Sequence, residues 1–186
     1  MVHAPQSRNA AAPMVSPAPG QVAPPAESER IAVHTAPPRG VLRGEPSPRW
    51  WWLGVHGGAG VSTLSGLIPG GWDAARAWPD PRIGGPPGLV GVMLVCRSHQ
   101  AGMSAASAAI RQWASGRTPP VQLWGLVIVA DAPGRLPRPL KSQQKRLVGT
   151  VSRCVVVPWV EAWRTAAPSR DTAPSEIAAL ETQLTS

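Results

Sequence analysis

The stretch WWWLGVHGGAGVSTLS, residues 50–65, decides how the rest of the chain is read. An apolar run from Trp50 to Val55 leads into glycines at 57, 58 and 60, then into hydroxyls at Ser62 and Thr63, where a helix is expected. Strand, glycine turn and helix in that order are the context in which a glycine pattern signals a phosphate loop. Gly57, Gly58 and Gly60 can take positive φ, which lets backbone N–H groups converge on an anion at the positive end of the helix. Ser62 stands where such loops place the hydroxyl that meets Mg²⁺. The position that carries the phosphate-binding lysine holds Val61 instead, with neither charge nor donor. One charge-assisted hydrogen bond is worth about 1.5 to 3 kcal/mol. Weak binding survives that loss better than hydrolysis does, because phosphoryl transfer depends on positioned positive charge. The opposing reading is a strand-to-helix turn that binds nothing.

Working outward, four continuous apolar runs fit buried strands: Trp50 to Val55, Leu89 to Cys96, Gln122 to Ala130 and Cys154 to Val157. Continuous rather than alternating runs are the mark of parallel strands covered on both faces. Between the second and third, Met103, Ala106, Ile110 and Trp113 form one stripe of a helix that Gly116 stops. Between the third and fourth, Leu140, Leu147, Val148 and Val151 occupy one side of a helix, and Arg138, Lys141 and Lys145 another. Strands alternating with helices imply a three-layer α/β domain with a mostly parallel sheet of about four to five strands and ligands at the strands' carboxyl ends. Residues 69–88 carry so much Gly and Pro that they allow at most a short helical turn between Trp72 and Trp78. The C-terminal residues fit a short helix capped at Ser175, with Ile177, Leu180 and Leu184 on one side.

Residues 1–48 hold ten of the 23 prolines and few large apolar side chains, so they read as a disordered tail. The expected organisation is that tail, a domain over 49–166, and a C-terminal tail over 167–186. The formal charge of +8 is uneven: ten Lys or Arg and one acid, Asp131, lie between Arg82 and Arg153. The N-terminus lacks the apolar core of a signal peptide, and no run approaches a membrane span, so a cytoplasmic protein is expected. Cys96 and Cys154 each lie within a strand-like run, where a free cysteine packs as a small hydrophobe. No His or Cys spacing suggests a metal site.

HGGAGVSTL, residues 56–64, resembles the deviant P-loop of the ParA/MinD class of ATPases, Lys-Gly-Gly-x-Gly-Lys-Ser/Thr-Thr, with His56 and Val61 in place of its lysines. The resemblance implies a P-loop topology. It also implies that Gly57, Gly58, Ala59, Gly60, Val61, Ser62 and Thr63 cradle the phosphates of ATP or another nucleotide, with Mg²⁺ at Ser62. VGVMLVCRSHQAGMSAASAAIRQW is similar to a later strand and helix of that class, and CVVVPWVEAWR to its last strand. LWGLVIVADAPGRLPRPL is similar to the strand whose end lies near the base, which puts Asp131 and Arg135 there. Read alone, Asp131 also fits a Walker-B aspartate. Its order in the chain favours the base end, because Leu67 to Leu89 is too short for the missing strands, and the fold is then truncated. The chain further resembles a family of uncharacterised proteins from high-GC Gram-positive bacteria, on WWLGVHGGAGVSTL, ADAPGRLPRPL and VPWVEAWR. That likeness implies a plasmid or integrative-element setting.

The leading expectation is therefore a degenerate, non-hydrolysing P-loop protein acting as a regulatory or adaptor component with a protein partner in a transfer or partition system. It binds nucleotide weakly or not at all. A second is a DNA-binding accessory protein that follows the phosphate backbone with Arg138, Lys141, Lys145 and Arg146. A third is a weak ATPase in which a lysine or arginine from elsewhere replaces Val61.

Overall fold

A computed structural model describes residues 22–36, 47–83 and 90–185. Its main sheet has five parallel strands: β2 (Trp50–Gly54), β3 (Gly71–Asp73), β5 (Val90–Arg97), β6 (Val121–Val129) and β7 (Cys154–Val157). Their spatial order is β3-β2-β5-β6-β7. A separate parallel pair joins β1 (Ala32–Val33) to β4 (Ala77–Trp78). Four α-helices occur among the described residues: α1 (Val61–Leu67), α2 (Gln100–Ala114), α3 (Arg138–Val148) and α4 (Ser175–Thr185).

All four predicted strands are present, shifted by a residue at some ends. The fifth, β3, arises where a helical turn was expected, and that expectation is corrected. Edge pairing decides the matter: Gly71, Trp72 and Asp73 pair with Trp50, Trp51 and Trp52. Gly71 is needed there because a Cβ would collide with the Trp50 indole and come within 2.6 Å of the Trp52 ring nitrogen.

The pleat splits the tryptophan run between two cores. Trp51 faces the layer formed by α2 and α3, with Val92, Leu94, Leu126 and Ile128. Trp50 and Trp52 face α1 and α4, with Met93, Val95 and Val127, and meet edge to face at 5.8 Å. The three indole N–H groups find no acceptor among the described residues. Leaving one unpaired costs about 1 to 3 kcal/mol, whereas burying an indole of some 150–250 Å² contributes roughly 4 to 6 kcal/mol. Burial wins. A bulge in β6 beside Val92 and Met93 keeps both halves of that strand in phase with the core on either side.

The α2 stripe is buried as expected, and Gly116 ends the helix with φ +71. On α3 the expected apolar side is only partly correct: Leu147 is buried and Leu140 packs on the core, but Val148 is 43% exposed. Helix α4 starts at Ser175, whose hydroxyl bonds Glu176. Its Ile177, Leu180 and Leu184 are buried in the second core, so α4 is a layer of the domain rather than part of a tail.

The expectation of a disordered tail over 1–48 is corrected for residues 22–36, which cross α2 as a strap; residues 1–21 and 37–46 lie outside the described residues. The buried Gln112 side chain accepts a hydrogen bond from the Ile31 N–H at 2.8 Å and donates one to the Ile31 carbonyl at 2.9 Å. His34 donates its backbone N–H to the Trp78 carbonyl. Val22, Ile31 and Val33 pack on the α2 core, so a few apolar residues paired to buried polar partners order this segment despite its prolines.

Candidate functional site

Counted along the main sheet, the strand order is 2-1-3-4-5, a doubly wound order whose switch point lies between its first and third strands, β2 and β5. Ligands of open α/β sheets sit at the carboxyl ends of the strands flanking that point. The glycine loop leaves β2 there, and Arg97, Ser98 and His99 leave β5 beside it.

Gly58 (φ +72) and Gly60 (φ +108) adopt the left-handed conformation that favours glycine. Open space surrounds the position of a Gly58 Cβ, whereas one on Gly60 would touch Val129. Val61 is buried in the core with Leu64 and Leu67 while also bordering the cleft.

His56 ties the loop to the end of β5. Arg97 donates its backbone N–H to His56 Nε2 at 3.0 Å, which leaves the proton on Nδ1, where it is donated to the Gly57 carbonyl at 2.8 Å. His99 caps α2 by accepting the Gly102 N–H at Nδ1, and its ring lies 5.0 Å from that of His56. A Cβ on Gly102 would approach His56 Nε2 to 2.8 Å, so that glycine permits the close approach.

The loop borders an open cleft of about 500 Å³ lined by Gly58, Ala59, Gly60, Val61, Ser62 and Thr63 together with Asp73, Arg76 and Arg97. The Arg97 guanidinium donates to the Gly58 carbonyl from Nε at 3.1 Å and to the Ala130 carbonyl from Nη1 at 2.9 Å. Three of its five N–H donors remain. The Arg76 guanidinium lies beside the loop, 3.6 Å from where a Gly57 Cβ would stand, and has no hydrogen-bond or ion-pair partner among the described residues. Asp73 Oδ1 accepts the Ala75 N–H at 2.7 Å. Asp80 is tied to Arg82, whose hydrogen bonds hold its carboxyl below the usual carboxylate range.

Sequence reasoning missed Arg76 and Arg97 as site residues. Arg97 ends a strand at the carboxyl edge, a position the fold rule itself could have flagged. Arg76 had no such signal, because its direction depends on a turn at positive φ.

Asp131 and Arg135 lie elsewhere, on a neighbouring cleft of about 480 Å³ that also includes Leu136, Leu140, Pro158 and Trp159. The two clefts adjoin through Arg97, which bonds Ala130, and Ser98, whose hydroxyl accepts the Asp131 N–H. Arg138, Lys141, Lys145 and Arg146 are exposed on α3, with no ion-pair partner among the described residues. Cys96 and Cys154 are free. Burial raises their thiols to about 12 and about 11, with Cys154 adding to the effect on Cys96. Neither is a nucleophile near neutral pH. No group of three or more His, Cys, Asp or Glu able to hold a metal occurs among the described residues, and none of their helices is long and apolar enough to cross a membrane.

The fold and cleft define an α/β protein with a parallel sheet and an arginine-flanked glycine loop at the sheet's switch point. Residues 49–180 match a family of unknown function, DUF6668, and the chain belongs to it. No curated protein and no solved structure matches the chain.

Proposed function

We propose that the protein is a non-hydrolysing binder of a phosphate-bearing ligand, a degenerate relative of the ParA/MinD-type P-loop that works as a regulatory or adaptor component. The observation that carries this is the convergence of Arg76 and Arg97 on the loop from Gly57 to Thr63. Helix α1 spans only Val61–Leu67, so its dipole is a minor contribution and the two guanidinium groups supply the charge that Val61 does not. A planar guanidinium also matches phosphate oxygens in a bidentate way. A nucleotide fits the reading because the cleft with Asp131 and Arg135 adjoins the loop. Mg²⁺ would meet the exposed Ser62 hydroxyl in the cleft that Asp73 also lines. The absence of a lysine at Val61 argues against rapid hydrolysis.

Calorimetric titration with pyrophosphate, ADP, ATP and GTP, with and without Mg²⁺, tests this. Micromolar to millimolar binding that weakens at least tenfold in Arg76→Ala is expected; no heat and no thermal shift at millimolar ligand would refute it.

A second reading, DNA binding, is favoured by α3. Arg138, Lys141 and Lys145 recur at spacings of three and four on the side opposite Leu140 and Leu147, and α3 contains no acid. Duplex binding should fall steeply with salt and drop in a Lys141→Glu, Lys145→Glu variant. Equal binding by that variant excludes this surface.

A further inference from the structure

The turn that presents Arg76 is strained. Ala75 (φ 47) and Arg76 (φ 60) are consecutive non-glycine residues in the left-handed region. The Ala77 N–H bonds the Ala74 carbonyl across them at 3.0 Å. Positive φ at both central residues is the pattern of a type I′ turn, which ordinarily calls for Asn-Gly. Left-handed φ at a non-glycine residue is strained, and strain of this kind persists where surrounding contacts over-determine it, often at functional sites.

Those contacts come from both sides. Asp73 Oδ1 accepts the Ala75 N–H, and the Ala74 N–H continues the β2 ladder to the Trp52 carbonyl. From the strap, His34 Nε2 lies 2.9 Å from the Ala74 carbonyl, which can only accept, so the ring nitrogen donates. Immediately after Arg76, Ala77 and Trp78 pair with Ala32 and Val33. The strap is in turn clamped at Ile31 by Gln112.

We infer that the strap over residues 31–34 is a positioning element of the anion site. His34 and β1 hold the Ala74–Ala77 turn so that Arg76 points at the glycine loop, and Gln112 holds the strap. The inference rests on the phosphate-binding reading above. It makes the affinity of the cleft depend on a segment on the opposite side of Arg76 from the loop, and whatever displaces the strap lowers that affinity.

The test titrates inorganic pyrophosphate into the full-length wild type and into His34→Ala, Gln112→Ala, His34→Gln, Arg76→Ala and the His34→Ala, Arg76→Ala double variant. Amide exchange is followed at Ala75, Ala77 and His34. His34→Ala and Gln112→Ala should each weaken binding about threefold to tenfold, the equilibrium effect of one neutral hydrogen bond, and speed exchange at Ala77. His34→Gln, which keeps a donor, should restore much of both. In the double variant the His34 change should add nothing to the loss from Arg76→Ala, which a generally destabilising substitution would not reproduce. Gln112→Ala acts from the far end of the strap, so agreement between the two does not hang on the folding of one variant. Wild type that binds while both strap variants bind equally well overturns this inference alone. Wild type that does not bind overturns the phosphate reading and this inference with it.

Discussion

Replacing Arg97 separates a ligand cation from a structural tie. In the fold its guanidinium bridges the Gly58 carbonyl on the glycine loop and the Ala130 carbonyl at the end of β6. The site is partly exposed, so water can replace part of what is lost, and each bond is worth about 1 kcal/mol to stability. Arg97→Ala should therefore destabilise the protein by roughly 2 kcal/mol, or about 4–8 °C in Tm for a domain of this size. Arg97 lines the cleft, where one charge-assisted bond to phosphate contributes about 1.5 to 3 kcal/mol, so pyrophosphate affinity should fall by one to two decades. Arg97→Lys keeps the charge but cannot bridge both carbonyls. It should lose about half of the stability and less of the affinity. Calorimetry for binding and thermal denaturation for stability, on the same samples at low and at 0.15 M-type ionic strength, give both quantities. If Arg97→Ala lowers Tm while pyrophosphate affinity stays at the wild-type value, the guanidinium is only a tie and the charge argument for the cleft fails.

Three further outcomes follow from the packing. Ala75→Gly should stabilise the protein by up to about 1 kcal/mol in chemical denaturation, because relief of left-handed strain exceeds the added entropy of the unfolded chain; a loss of 1 kcal/mol would show that the turn is unstrained. Gly71→Ala should destabilise by about 1 to 3 kcal/mol, since its methyl would have to displace two buried indoles, and tryptophan fluorescence should report the movement. The thiols should resist alkylation at pH 8 until the protein unfolds. With folded values near 12 and 11 against an ordinary 9.0, the folded chain retains protons that the unfolded chain loses, so stability falls as pH rises from about 9 towards 12, and thiols that titrate near 9 in the native protein would contradict the burial argument.

The legible part of the fold is the part written in local pattern. Unbroken runs such as Val90–Cys96 must be covered on both faces, and a Met103, Ala106, Ile110, Trp113 stripe has one buried side whatever it packs against. The glycine turn was legible for the same reason: positive φ at Gly58 and Gly60 is a local demand. Edge strand β3 was not, because a three-residue strand is stabilised by pairing with Trp50–Trp52, 21 positions upstream along the chain. Nor was the strap, whose few apolar residues are ordered by distant partners: the α2 core, the buried Gln112 side chain and the β4 edge.

The same division holds at the candidate site. Sequence alone established a glycine turn between a strand and a helix, an uncharged Val61 within it, and a basic helix around Lys141. Only the tertiary structure decided that positive charge stands beside the loop, because Arg76 and Arg97 are brought to it by a strained turn and by the end of a parallel strand. It also separated Asp131 and Arg135 into a neighbouring cleft. Local conformation follows from neighbours in the chain; the meeting of charges follows from strand order and register, which long-range burial sets.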